Sequence, residues 1–124
     1  MEEPPSALHS FCMSLCGATH VVQWGASGVY KVGGKVFAIV VTDADGRMRV
    51  TFKASEMSFE MLKGEPGVRP APYLASRGLK WLQWLDETTL DGQALLDYVR
   101  QSHAVAMDGL SKKKRMALRS PSGA

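Results

Sequence analysis

Residues 29–52 read VYKVGGKVFAIVVTDADGRMRVTF, two β-hairpins in succession. Gly33-Gly34 lies between two runs of β-branched and aromatic residues. A two-residue type I′ turn needs φ > 0 at both central positions, and glycine adopts that conformation without steric penalty. Such a turn pairs Val32 with Lys35, Lys31 with Val36 and Tyr30 with Phe37. Asp43-Ala44-Asp45-Gly46 is the second turn signal. A four-residue loop there pairs Thr42 with Arg47, Val40 with Arg49, Ala38 with Thr51 and Val36 with Lys53. Side chains alternate along a strand, so this register predicts two faces. Tyr30, Val32, Phe37, Ile39, Val41, Met48, Val50 and Phe52 form an apolar face that helices must cover. Val29, Lys31, Val36, Ala38, Val40, Arg47, Arg49, Thr51 and Lys53 form the other, small and apolar in the middle and basic on both flanks. Lys31, Val36 and Lys53 fall in one cross-strand row.

Working outward toward the N-terminus, Ser6 reads as the N-cap of a first helix. Leu8, Phe11, Cys12 and Leu15 follow at i, i+3, i+4, i+7, and Gly17 is the expected stop. Val21 to Trp24 is a short strand. Gly25, Ser27 and Gly28 turn the chain into the hairpins; these glycines precede strands, whereas a dinucleotide fingerprint must open a helix. Toward the C-terminus, Ser55 caps a short helix through about Leu62, with Phe59 and Leu62 facing inward. The stretch from Lys63 to Pro72 is rich in proline and glycine and reads as a loop. Leu79 to Leu85 reads as a strand in which Trp81 and Trp84 have opposite parity, so that one faces the core. Asp91 caps the main C-terminal helix, and Leu90 can staple onto Leu95. Leu95, Tyr98, Val99, Ser102, Val105 and Ala106 form its buried stripe, leaving His103 toward solvent. Gly109 ends that helix and Ser111 caps a short basic turn. A helix, then strands, then helices imply an α+β fold, an antiparallel sheet with helices packed mainly on one face.

The chain of 124 residues fits a single domain, 1–124, with a basic segment, 111–124, flexible at its end. No basic stretch followed by an apolar run opens it, so no secretory signal is expected, and no apolar run approaches the roughly 20 residues of a membrane span. Cys12 and Cys16 do not make a secreted disulfide framework, which points to a reducing cytoplasm. The net charge of +3 is local. From Lys112 onward stand Lys112, Lys113, Lys114, Arg115 and Arg119 without an acid, and the remaining 10 bases and 12 acids leave a body of net −2.

His9, Cys12, Cys16 and His20 invite a metal reading. Cys12 lies in the apolar stripe, however, and no paired C-x-x-C is present, so buried structural thiols are the better reading and no metal or cofactor is expected. The three histidines fall in no Ser/His/Asp or Cys/His grouping, and no paired carboxylates stand at an acid/base spacing, which disfavours an enzyme.

GATHVVQWG, VYKVGGKVFAIV, the FKAS before the short helix, PGVRPAPYLASRGLKW and SHAVAMDGLSKKKR follow one another in order. Together they resemble the MmcQ/YjbR family of small bacterial proteins, over nearly the whole chain. The resemblance implies a CyaY-like α+β fold of the double-wing type. It also implies DNA binding, an expectation that rests on likeness of fold. Frataxin-like proteins of that fold bind iron through acidic ridges, but here only Glu2 and Glu3 precede the first helix. Cys16 stands where many relatives have proline before the glycine.

Two binding readings follow. In the first, Lys31, Arg47, Arg49 and Lys53 contact DNA phosphates on the sheet face, and Lys112, Lys113, Lys114 and Arg115 add sequence-independent attraction. In the second, a small anionic ligand or a protein segment binds the same face, walled by Tyr73 and Trp84. A tryptophan with one wet face is also a potential stacking platform for a base.

Overall fold

The computed structural model describes residues 5–23, 27–42, 45–72 and 79–119. In chain order the elements are α1 (Pro5–Ser14), β1 (Ala18–Gln23), β2 (Ser27–Val32), β3 (Lys35–Thr42), β4 (Met48–Lys53), α2 (Glu56–Leu62), β5 (Val68–Pro70), β6 (Trp81–Trp84), α3 (Gly92–Asp108) and α4 (Lys112–Arg119). The strands form one sheet in the order β1-β2-β3-β4-β6-β5, with every neighbouring pair antiparallel. This is an α+β fold. No helix among the described residues is long and apolar enough to cross a membrane.

The local signals act as the sequence predicts at several points. Gly33 and Gly34 have φ of 57° and 85° and join Val32↔Lys35 and Lys31↔Val36. Ser55 Oγ accepts the Ser58 N–H at the start of α2, and Asp91 Oδ1 accepts the Ala94 N–H at the start of α3. Ser6 lies inside α1 rather than at its cap.

The register departs from expectation twice. Beyond Lys31↔Val36 the next pair is Tyr30↔Ala38, so Phe37 is an extra residue in β3, a β-bulge. At the second turn the first pair is Thr42↔Met48, which leaves residues 43–47 between the strands instead of four residues; Asp43 and Ala44 lie outside the described residues. The bulge changes which side chains of β3 meet the helices. Phe37 and Ala38 are both fully buried, and Ala38 and Val40 share a face with Phe52 and Val50. Ile39 and Val41 pair with Thr51 and Arg49 on the opposite face, reversing their expected positions. The two one-residue shifts cancel in β4. Met48, Val50 and Phe52 keep the helix face, and Arg49, Thr51 and Lys53 keep the open one.

Helices α1 and α3 cover the helix face. The Tyr98 ring stacks on Phe52 at 5.6 Å, and His103 meets Phe37 edge-on at 5.1 Å. Leu8 and Cys12 of α1 and Leu95 and Val99 of α3 are essentially sealed from solvent, together with Val32, Val50 and Leu82 of the sheet. His103, expected to face solvent, is buried: a ring nitrogen, Nε2, is 2.7 Å from the Cys16 carbonyl, tying α3 to the turn after α1. Packing against Phe37 together with that polar contact outweighs the imidazole's preference for water. Helix α2 packs against β5, with Phe59 and Leu62 inward.

Candidate anion-binding surface

The face of the sheet turned away from α1 and α3, the open face, is built on a row that crosses all the strands, of which Val29 and Thr51 are nonetheless buried. Val21, Val29, Ile39, Thr51, Gln83 and Arg69 stand in register from β1 to β5. Arg69 Nε donates to Gln83 Oε1 at 2.8 Å, and Gln83 Nε2 reaches Thr51 Oγ1 at 3.5 Å. The middle of the face is therefore aliphatic on one side and an internally bonded polar chain on the other.

Basic residues lie beyond this row at both ends, in two separate groups. At one end Arg49 pairs with Val41, and Arg47 precedes β4 instead of lying in it. Both arginines act on Asp86. The Asp86 carboxyl is held below the usual carboxylate range first by hydrogen bonds from the side chain and the N–H of Thr88, and then by the attraction of Arg47 and Arg49. These two cations thus already share a counter-charge.

At the other end stands a lysine group. Lys31 pairs with Val36 on the open face. Lys53 stands on the same face one step past the last β3–β4 pair, and its register partner is Trp81 of β6. Lys35 follows the Gly33-Gly34 turn and lies along Gly109, where a Cβ would be 3.1 Å from Lys35 Cε. Leu110 packs over Gly33, whose absent Cβ leaves the room. The chain then enters α4 directly. Ser111 Oγ accepts the Lys114 N–H at 3.1 Å, and Lys112, Lys113 and Lys114 are exposed in the first turn. Asp108, exposed at the end of α3, is the acid nearest in sequence.

The sequence predicts a short basic turn capped by Ser111 in a segment, 111–124, flexible at its end; residues 112–119 form a docked helix. Leu118 fills the space over Gly17, whose φ of 69° and missing Cβ admit it. Cys16 Sγ–H donates to the Leu118 carbonyl at 3.4 Å, and Arg115 donates to the Leu110 carbonyl at 2.6 Å. Arg115 thus helps close the end of α3 and is only half exposed, whereas the three lysines face water. Residues 120–124 lie outside the described residues.

The two residues expected to wall a ligand do not meet on this face. Trp84 points to the helix side, is 5% exposed, and donates from Nε1 to the Leu90 carbonyl at 2.8 Å. Its parity along β6 and its hydrogen bond place it in the core. Tyr73 lies outside the described residues. Of the two tryptophans of β6, Trp81 is the one on the open face, and it is half-buried there. Sequence reading left open which tryptophan this would be, and the pairing of Lys53 with the first residue of β6 decides it. Lys35 was also missed, although its place after a glycine turn marks an exposed strand start.

The histidine and cysteine cluster has a different character. His9 Nδ1 and the Tyr30 hydroxyl are hydrogen-bonded at 2.8 Å, and the His20 ring lies 4.9 Å from His9 and 4.7 Å from Tyr30. Burial pushes the Cys12 thiol up to about 12, so it stays protonated at neutral pH and is a poor nucleophile and metal ligand. Cys16 is exposed. Among the described residues no group of three or more His, Cys, Asp or Glu side chains is arranged to hold a metal ion.

The YjbR family model matches residues 13–105. That span runs from the end of α1 through most of α3 and ends before α4. A crystal structure of Deinococcus radiodurans protein DR2400, described as a DUF419 domain, superposes with a TM-score of 0.77 at 21% identity, covering 91% of this chain and 86% of that one. It shares the fold. No protein with a curated description matches the chain.

Proposed function

The chain belongs to the YjbR family, and on that footing we propose that it is a non-enzymatic binding module that takes DNA by its phosphates, without regard to sequence, at the lysine-rich end of the sheet. The observation that carries this reading is the first turn of α4. Lys112, Lys113 and Lys114 crowd the positive end of a helix dipole, where carboxylates would stabilise and cations cost a few tenths of a kcal/mol each. An arrangement that works against helix stability is expected where a charged partner supplies the compensation. Lys31 and Lys53 stand on one face at the same end of the sheet, so a phosphate backbone meets two cations there, while Lys35 pairs with the core residue Val32 and lies on the helix side along Gly109. Arg47 and Arg49 are secondary candidates, because Asp86 competes for them. A small anionic ligand on the open face is the lesser reading, since Trp84 is not there to wall it.

The test is a DNA titration at several salt concentrations with the full chain. Binding should weaken steeply with salt, each neutralised phosphate adding about 0.9 to the slope of log K against log salt. Replacing Lys112, Lys113 and Lys114 by alanine should lower both affinity and slope, and Lys31→Ala with Lys53→Ala should do the same. Absence of binding at low salt, where such contacts are strongest, would end this reading.

A further inference from the structure

We propose that Trp81 is a stacking platform for an unpaired base, so that the nucleic acid taken by this face is single-stranded. The inference rests on the phosphate-binding reading above and specifies the partner.

The two tryptophans of β6 have different commitments. Trp84 is spent on the core, its indole N–H bonded to the Leu90 carbonyl. Trp81, three residues earlier, has the opposite parity and projects on the open face. It is half-buried, so part of its surface meets water. Among the described residues no hydrogen bond engages its indole.

Its neighbours complete the argument. Its register partner is Lys53, an exposed lysine on the same face. Beyond the bulge on the same face stand Val36 and Lys31. From Trp81 to Lys31 spans three strand spacings, about 14 Å. An aromatic surface with a lysine next to it and another lysine farther along is the combination that binds a single strand, one element stacking a base while the others meet phosphates. A sheet suits the role because its side chains stand out from a rigid surface. In a duplex the faces of the bases are stacked on one another and closed to Trp81, while the phosphates stay available to the lysines. Attraction to phosphate alone makes no distinction between a strand with bases and one without, but a stacking residue does.

The experiment compares a short oligothymidine, the corresponding oligouridine, a duplex and an abasic strand of equal phosphate count, titrated with the full chain at low salt. Oligothymidine or oligouridine should bind more tightly than the abasic strand by roughly 5- to 150-fold, the equivalent of one stacked base. Trp81→Leu, which keeps apolar bulk but removes the aromatic face, should bring the base-bearing strands down to the abasic affinity, and Trp81→Phe should keep part of the difference. If the parent binds the abasic strand as tightly as the others, or if Trp81→Leu binds them as the parent does, the stacking proposal is wrong while phosphate binding stands. If Lys31→Ala with Lys53→Ala abolishes binding of every strand and Trp81→Leu removes only the base-dependent part, the proposal holds. If no strand binds, both readings fall together.

Discussion

Ser102 Oγ donates a 2.7 Å hydrogen bond to the carbonyl of Phe37, and the same oxygen accepts the N–H of Lys53 at 3.0 Å. A side chain of α3 thus bridges β3 and β4 one step past their last register pair, Ala38↔Phe52, beside the bulged Phe37. Both backbone groups would otherwise lie without a partner beneath a helix. Ser102→Ala should therefore cost about 1–3 kcal/mol, the usual penalty for stranding a buried polar group. The check is a lower denaturation midpoint at an unchanged m value. A midpoint equal to the parent's would mean that the two backbone groups are satisfied without the hydroxyl.

The same hydroxyl explains why part of the register was unreadable. In KVFAIVV every residue after the lysine is apolar, so the alternation that marks a face is silent, and an extra residue leaves no trace in the pattern. The signal lay far off, in a serine on the buried stripe of a helix. The Gly33-Gly34 turn, the caps at Ser55 and Asp91 and the stripe of α1 were legible because each is a local effect. The lysine-rich end was legible only in pieces. Lys31, Lys53 and Lys112–Lys114 were named, but the placing of the start of α4 beside the Gly33 turn depends on Leu110 packing over Gly33, a contact between residues far apart in sequence.

The bulge makes a prediction that separates it from simple alternation. Ala38 is fully buried on the helix face, so Ala38→Val should overpack the core and destabilise by about 1–3 kcal/mol. Phe37→Ala should cost about 3–5 kcal/mol. Without the bulge, Ala38 would face the open side, where valine fits a strand well. A stabilising Ala38→Val in chemical unfolding would argue for that register.

Helix α4 has eight residues, below the roughly 12–15 that hold a helix in water unaided. Its order depends on Leu118 over Gly17 and Arg115 on the Leu110 carbonyl. Leu118→Ser should abolish hydrogen-exchange protection of the α4 amides while those of α3 and β2–β4 keep theirs. Gly17→Ala should act likewise, because φ is 69° and the new Cβ would meet Leu118 at 2.9 Å. Protection retained in both variants would show that α4 is held by something other than Leu118.

Alkaline pH should expose the buried pair under α1. Burial raises Cys12 from 9.0 to about 12, and burial with the neighbouring Cys12 thiolate raises Tyr30 from 10.0 to about 12. In each case the unfolded chain loses its proton first. The stability linked to these groups is therefore whole below about pH 9 and is lost as pH climbs toward 12, because the unfolded state then binds fewer protons than the folded one. Unfolding midpoints measured from about pH 8 to 11 should fall, and Cys12→Ala should shallow that fall even if it lowers stability at neutral pH. A thiol reagent at mildly alkaline pH should modify Cys16 at once and Cys12 only on unfolding. Equal reaction of both cysteines in the folded protein, or a pH slope unchanged by Cys12→Ala, would mean that α1 opens readily and does not seal Cys12 from water.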